Sequence, residues 1–255
     1  MSLRIAVAGK GGTGKTTIAG LLCRSLIARQ IRPVLAVDAD PNSCLADALG
    51  VKVERTIGAL RESIRAQPDL KPAGIAKNEW IERLINESLV ESTGLDMIVM
   101  GRQEGPDCYC FINHLLRDSL GRIGRSYPAV VIDNEAGLEH LSRRTDGSVD
   151  AMLVIAQPSF PGARTAVRIM ELVHSLHLDI GACYLVLNRC DGPVAPAVAE
   201  EFQRTGLEIV ARIPTDAAVA EAELKGRALA DLPADAPAVA AVDGLLATLL
   251  ERRKT

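Results

Sequence analysis

Aromatic side chains are nearly missing from this sequence. One Trp, three Tyr and three Phe make up 3% of the 255 residues, so Val, Ile, Leu and Ala have to fill any core. A basic excess is missing as well: 29 Lys and Arg face 32 Asp and Glu, for a formal net charge of −3. That balance argues against general nucleic-acid binding. No apolar run approaches the length needed to span a bilayer, and MSLRIAVAG (1–9) is too short and too soon interrupted for an export signal. Six cysteines in such a chain point to the reducing cytoplasm rather than to a disulfide framework. Internal repeats, low-complexity tracts and linker-like stretches are also missing, so residues 1–255 read as one large domain.

What is present is a recurring apolar run of strand length: LRIAVAG (3–9), PVLAVDAD (33–40), LDMIVMG (95–101), PAVVID (128–133), AMLVIAQP (151–158), ACYLVLN (182–188) and EIVARIP (208–214). These runs are continuous rather than alternating, the pattern of strands covered on both faces. Helical patterns lie between and around them, over 16–29, 56–66, 110–123, 164–177, 195–204, 216–230 and 237–252. Such alternation predicts an α/β fold, a mainly parallel sheet with helices on both faces. Ligands of these folds bind at the carboxyl ends of the strands. In the last helix Val239, Val242, Leu246 and Leu249 form a core-packing stripe, and the basic end is too short of Lys, Arg and aromatics to anchor a membrane.

The strongest motif is GKGGTGKTT (9–17), which follows a strand, opens a helix and fits G-x-x-x-x-G-K-[ST]. Gly9, Gly11, Gly12 and Gly14, with Thr13, let the backbone close around phosphates so that successive N–H groups point at the anion. Lys15 neutralises the β- and γ-phosphates in this reading. Thr16 ligates Mg²⁺, Thr17 binds the nucleotide beside it, and the positive end of the following helix faces the site. Lys10 is a second lysine inside the loop. The string K-G-G-x-G-K-[ST]-[ST] resembles the deviant P-loop of the MinD-type and nitrogenase-iron-protein-type dimeric ATPases. The resemblance implies a P-loop NTPase fold, ATP as substrate, and a Lys10 that reaches across a dimer interface to the partner's nucleotide.

Two strands end in acids suited to the same site. VLAVDADPN brings Asp38 and Asp40, and AVVIDNEAG brings Asp133. A carboxylate at such a position can orient a water for in-line attack, since phosphoryl transfer rests on positioning and charge neutralisation. By resemblance Asp40 positions the water, Asp38 is a supporting acid near Mg²⁺, and Asp133 contacts Mg²⁺ directly or through water. For the base, Asn188 in VLNRCD resembles the adenine-contacting residue, with Ile213 and Pro214 of ARIPTD wrapping the purine. Asn-Arg-Cys-Asp also mimics the N-K-x-D element of GTPases, so ATP and GTP both stay open, as does a plain turn-capping role for Asn188.

Cys108 and Cys110 in GPDCYCFINHLL (105–116) raise a separate question. In an extended segment both sulfurs face one way; at a helix start the free N–H groups favour thiolate. Either arrangement is a clamp with two open positions, and a second copy related by a two-fold axis fills them. Thiolate sites suit Zn²⁺ or Fe–S clusters, among other soft-ligand metals. GRQEGPDCYCFINHLLR (101–117) and VVIDNEAGLEHLSRRT (131–145) resemble signature segments of CooC-type accessory ATPases. These mature carbon monoxide dehydrogenase by promoting nickel insertion; a related factor acts on acetyl-CoA synthase. The resemblance runs from residue 9 to about 216. It implies a cytoplasmic homodimer with one nickel or zinc bridged by Cys108 and Cys110 of two subunits, a client nickel enzyme, and no nucleic-acid or membrane partner. Two other roles share the fold: a MinD/ParA-like positioning ATPase, and an Fe–S reductase resembling nitrogenase iron protein. Cys23, Cys44, Cys183 and Cys190 read as packing or loop residues, His114 as no ligand, and His174 with His177 as a helix surface.

Overall fold

The computed structural model describes residues 2–66, 74–101, 121–134 and 149–253. Its strands are β1 (Leu3–Gly9), β2 (Val34–Asp38), β3 (Val90–Ser92), β4 (Leu95–Val99), β5 (Ala129–Asp133), β6 (Val149–Ala156), β7 (Ile180–Asn188) and β8 (Glu208–Ile213). They form one sheet in the order β3-β4-β2-β5-β1-β6-β7-β8. Every pairing is parallel except β3 with β4, a short antiparallel hairpin at one edge. The expected mainly parallel sheet is therefore present, with one strand added. β3 escaped the sequence reading because it is three residues long and mostly exposed, so no apolar run marks it.

The α-helices with both ends among the described residues are α1 (Lys15–Ala28), α2 (Cys44–Leu49), α3 (Ile57–Ala66), α4 (Lys77–Asn86), α5 (Phe160–Ser175), α6 (Pro196–Gln203), α7 (Ala217–Lys225) and α8 (Pro237–Arg252). Each strand feeds both faces because its side chains alternate. From β1, Leu3, Ile5 and Val7 enter a core with α1, α2 and α8, while Ala6 and Ala8 enter the opposite core with α3, α4, α5 and α6. The expected stripe of α8 lies inside the first core, where Val242 and Leu246 are wholly buried. Each such side chain contributes about 2 kcal/mol by leaving water. No described helix is long and apolar enough to cross one. Most of the expected helix over 110–123 lies outside the described residues; 121–125 are helical.

Register prepares the site. β1 lies between β5 and β6, where the strand order reverses, and chains leaving neighbouring strands there open a crevice. Asp133 pairs in register with Val7 of β1 and with Asp38 of β2. Both acids thus stand at strand ends beside the loop that follows β1.

Candidate functional site

The loop from Gly9 to Gly14 turns tightly enough to hold an anion. Gly9 runs so close to β6 that a Cβ there would stand 2.5 Å from the Ile155 carbonyl oxygen. The Thr13 N–H and hydroxyl both donate to the Lys10 carbonyl, at 3.3 and 2.8 Å. α1 then starts with Gly14 as its N-cap, without a capping side chain and without an acid in its first turn. Its leading N–H groups therefore lack the usual internal partners, which makes an anion site of the helix end. Lys15 is 7% exposed beside them, whereas Lys10, Gly11 and Gly12 are exposed at the outer side of the loop. Between that outer side and the start of α5, a cleft of about 140 Å³ opens, lined by Lys10, Gly12, Gln157, Ser159 and Thr165 among others.

The acids divide sharply. Thr16 donates its hydroxyl to Asp133 Oδ2 at 2.6 Å, and Asp133 Oδ1 is buried without any partner. Burial pushes the Asp133 carboxyl up to about 7, against the Thr16 hydrogen bond and the Lys15 charge. A buried orphan acceptor beside a threonine hydroxyl is an oxygen donor set that fits Mg²⁺. Asp38 is different. Its Oδ1 accepts from the Asp40 N–H at 3.1 Å and its Oδ2 from the Leu45 N–H at 2.9 Å, so both oxygens hold the loop into α2. Burial still raises it to about 6. Asp40 is half-buried, and its Oδ1 accepts from the Asn42 backbone and side-chain nitrogens, each at 2.9 Å.

At the β7–β8 end the residues expected near the base are engaged with the protein. Asn188 Nδ2 donates to the Thr13 carbonyl at 2.7 Å. The Ile213 carbonyl accepts from the Cys190 N–H at 2.9 Å, and Ile213 itself is buried while Pro214 is half-exposed. Asp191, the acid of the GTPase-like N-R-C-D string, accepts from the Thr215 N–H and hydroxyl at 2.7 and 2.6 Å. Those two bonds hold its carboxyl below the usual range. Asp216 accepts from Ala218 and Val219 at the start of α7 and from Ala238 at the start of α8.

Sequence reasoning missed two partners. Thr17 donates to Glu223 of α7 at 2.8 Å, a contact 206 positions apart that no local pattern announces. Asn134 is wholly buried, with its Nδ2 on the Val7 carbonyl at 3.0 Å and its Oδ1 unpartnered. Cys108, Cys110 and His114 lie outside the described residues. Among the described residues no group of three or more His, Cys, Asp or Glu is arranged to hold a metal. Cys23 and Cys190 are buried and Cys44 is exposed. His174 and His177 are both exposed, but His177 sits beyond α5 at φ 49° and so shares no helix face with His174.

A P-loop opening α1, two strand-end acids in register, and a mainly parallel sheet define a nucleoside-triphosphatase architecture. The description of the CobQ/CobB/MinD/ParA nucleotide binding domain matches residues 5–229, and the chain belongs to that family. It is an ATPase of the MinD/ParA type. An uncharacterised ATP-binding protein of Methanocaldococcus jannaschii is 42% identical over 231 residues, covering 90% of this chain and 91% of that protein. The carbon monoxide dehydrogenase accessory protein CooC of Rhodospirillum rubrum is 32% identical over 273 residues, covering 98% and 97%. A ParA family ATPase from Chlorobium tepidum shares the fold with a TM-score of 0.70 at 21% identity, covering 95% of this chain and 96% of that one.

Proposed function

We propose that this protein is an ATP-hydrolysing maturation factor that promotes nickel insertion into carbon monoxide dehydrogenase or acetyl-CoA synthase. The observation that carries the reading is the alignment with CooC along 98% of the chain, joined to the Cys-x-Cys pair at 108 and 110. In this reading the protein works as a homodimer, since two thiolates per chain complete a four-sulfur site only when two chains meet. The metal held there, nickel or zinc, is cargo.

At the nucleotide, the loop Gly9–Gly14 and the first turn of α1 receive the phosphates, and Lys15 neutralises them. Thr16 and Asp133 hold Mg²⁺, which supplies further charge neutralisation on the phosphate oxygens when bound. Lys10, exposed on the outer side of the loop, serves the partner's nucleotide. Asp40 orients the attacking water, and Asp38 keeps Asp40 in place through the backbone N–H that it holds. Thr17 exchanges its Glu223 partner for a phosphate oxygen. Pro214 borders the base; with Asp191 bound to Thr215, the guanine-reading acid is engaged elsewhere, which supports ATP. The segments after Asp38 and Asp133 carry the phosphate state to the subunit contact, as γ-phosphate switches do.

Anaerobic titration with Ni²⁺ and Zn²⁺, combined with mass measurement with and without ATP, tests the proposal. One metal per two chains is expected, lost when Cys108→Ser and Cys110→Ser are combined while nucleotide binding persists. Metal uptake equal to the parent protein would defeat the thiolate clamp. A visible Fe–S absorption band would favour the reductase reading instead.

A further inference from the structure

Asn188 ends β7, separated from β1 by β6, yet its side chain finishes inside the phosphate loop. The 2.7 Å bond to the Thr13 carbonyl is buried, and Asn188 itself is 8% exposed. A Cβ on Gly14 would collide with the same amide nitrogen. Glycine at position 14 is therefore required twice, once by its φ of 90° and once because Asn188 occupies the place of a side chain.

The consequence follows from peptide geometry. In a trans peptide the carbonyl and the N–H point in opposite directions. Pinning the Thr13 carbonyl onto Asn188 therefore aims the Gly14 N–H the other way, and it keeps a carbonyl oxygen from turning toward an incoming anion, which it would repel. Gly14 is also the N-cap of α1, and its carbonyl accepts from the Ile18 N–H at 3.0 Å. The orientation set at Thr13–Gly14 is passed directly into the first helical turn. We propose that Asn188 is a positioning residue for phosphate binding, acting through the Thr13–Gly14 peptide rather than through contact with the base. The sequence spacing of 175 positions hides this brace, and only the neighbourhood of β1, β6 and β7 in the sheet creates it.

The inference rests on the phosphate-site reading of residues 9–17, so its test separates the two. The probe is inorganic tripolyphosphate with Mg²⁺, which carries phosphates and no base, titrated beside ATP into the full chain. Asn188→Ala is expected to weaken both by the same factor, about tenfold for one lost buried hydrogen bond. Asn188→Asp keeps the shape, sets a carboxylate against the Thr13 carbonyl, and is expected to weaken both further; it carries the test if the alanine variant does not fold. Thermal midpoints taken without ligand monitor folding. Tripolyphosphate affinity equal to the parent overturns the brace, whether ATP affinity falls alone, as for a base-reading residue, or only the midpoint falls, as for a structural one. Lys15→Ala is the control: if it leaves tripolyphosphate binding intact, the phosphate site itself is misplaced.

Discussion

The carboxyl rim of the sheet has two halves that treat polar atoms in opposite ways. Around β1 and β5, groups are left unsatisfied: the first N–H groups of α1 have no capping side chain, and Asp133 Oδ1 and Asn134 Oδ1 are buried without a partner. Around β7 and β8, acceptors are committed to the chain itself: Asp191 to Thr215, Asp216 to three backbone N–H groups, the Ile213 carbonyl to Cys190. The first half keeps a cost of about 1–3 kcal/mol per orphaned group, which a bound ion or phosphate relieves. The second half uses the same kinds of atom to hold loops at fixed positions. Reactive capacity sits where satisfaction is withheld, and precision comes from the side where it is complete. Asp38 shows that strand position alone does not assign the half: it pairs with Asp133 in register but is fully committed to backbone.

Four substitutions sharpen this contrast. Lys15→Ala should have the largest effect, a loss of about 10²–10³-fold in ATP turnover with the fold kept, because it removes the charge facing the phosphates; unaltered hydrolysis would break the assignment. Asp216→Ala should cost about 2–4 kcal/mol of stability in urea titration, since one carboxylate caps both α7 and α8. A loss below about 0.5 kcal/mol would show that the second half is not held this way.

Acidity gives the third test. Burial places Asp133 near 7 and Asp38 near 6, whereas unfolded carboxyls titrate at about 4. Between those values the folded chain binds more protons than the unfolded one, so stability is fully present at low pH and declines as pH rises from about 4 to about 7. Without Mg²⁺ or nucleotide, stability read from urea titration should fall across that window, by at most about 7 kcal/mol in all, and Asp133→Asn should flatten most of the fall. A parent profile that is flat or rising would contradict it. The smallest effect is expected for Asp191→Asn: with its carboxylate already engaged by Thr215, the ratio of ATP to GTP turnover should stay within about threefold of the parent, a change of less than about 1 kcal/mol. A larger shift would mean that Asp191 reads the base.

Much of the fold was legible because buried parallel strands write continuous apolar runs. The expected runs at 3–9, 128–133 and 208–214 meet β1, β5 and β8 within a residue or so. α4 was also legible in principle: Trp80, Ile81, Leu84 and Ile85 have helical spacing and pack into one core. α2 was not, being six residues long with Asp38 rather than its own Ser43 holding an N–H of its first turn. In the site, GKGGTGKTT announces its loop because its function depends on local backbone freedom. Asp133 announces itself only as an acid after a strand; its orphan oxygen is a fact of packing.

The sequence by itself determined the α/β alternation, the phosphate loop and the presence of a thiol pair, because these depend on contacts or spacing within a few residues. Tertiary structure alone decided which acids are free and which are engaged, and it brought Asn188 to Thr13 and Glu223 to Thr17. Those decisions rest on which strands and helices become neighbours, and neighbourhood in a sheet depends on the packing of the whole chain.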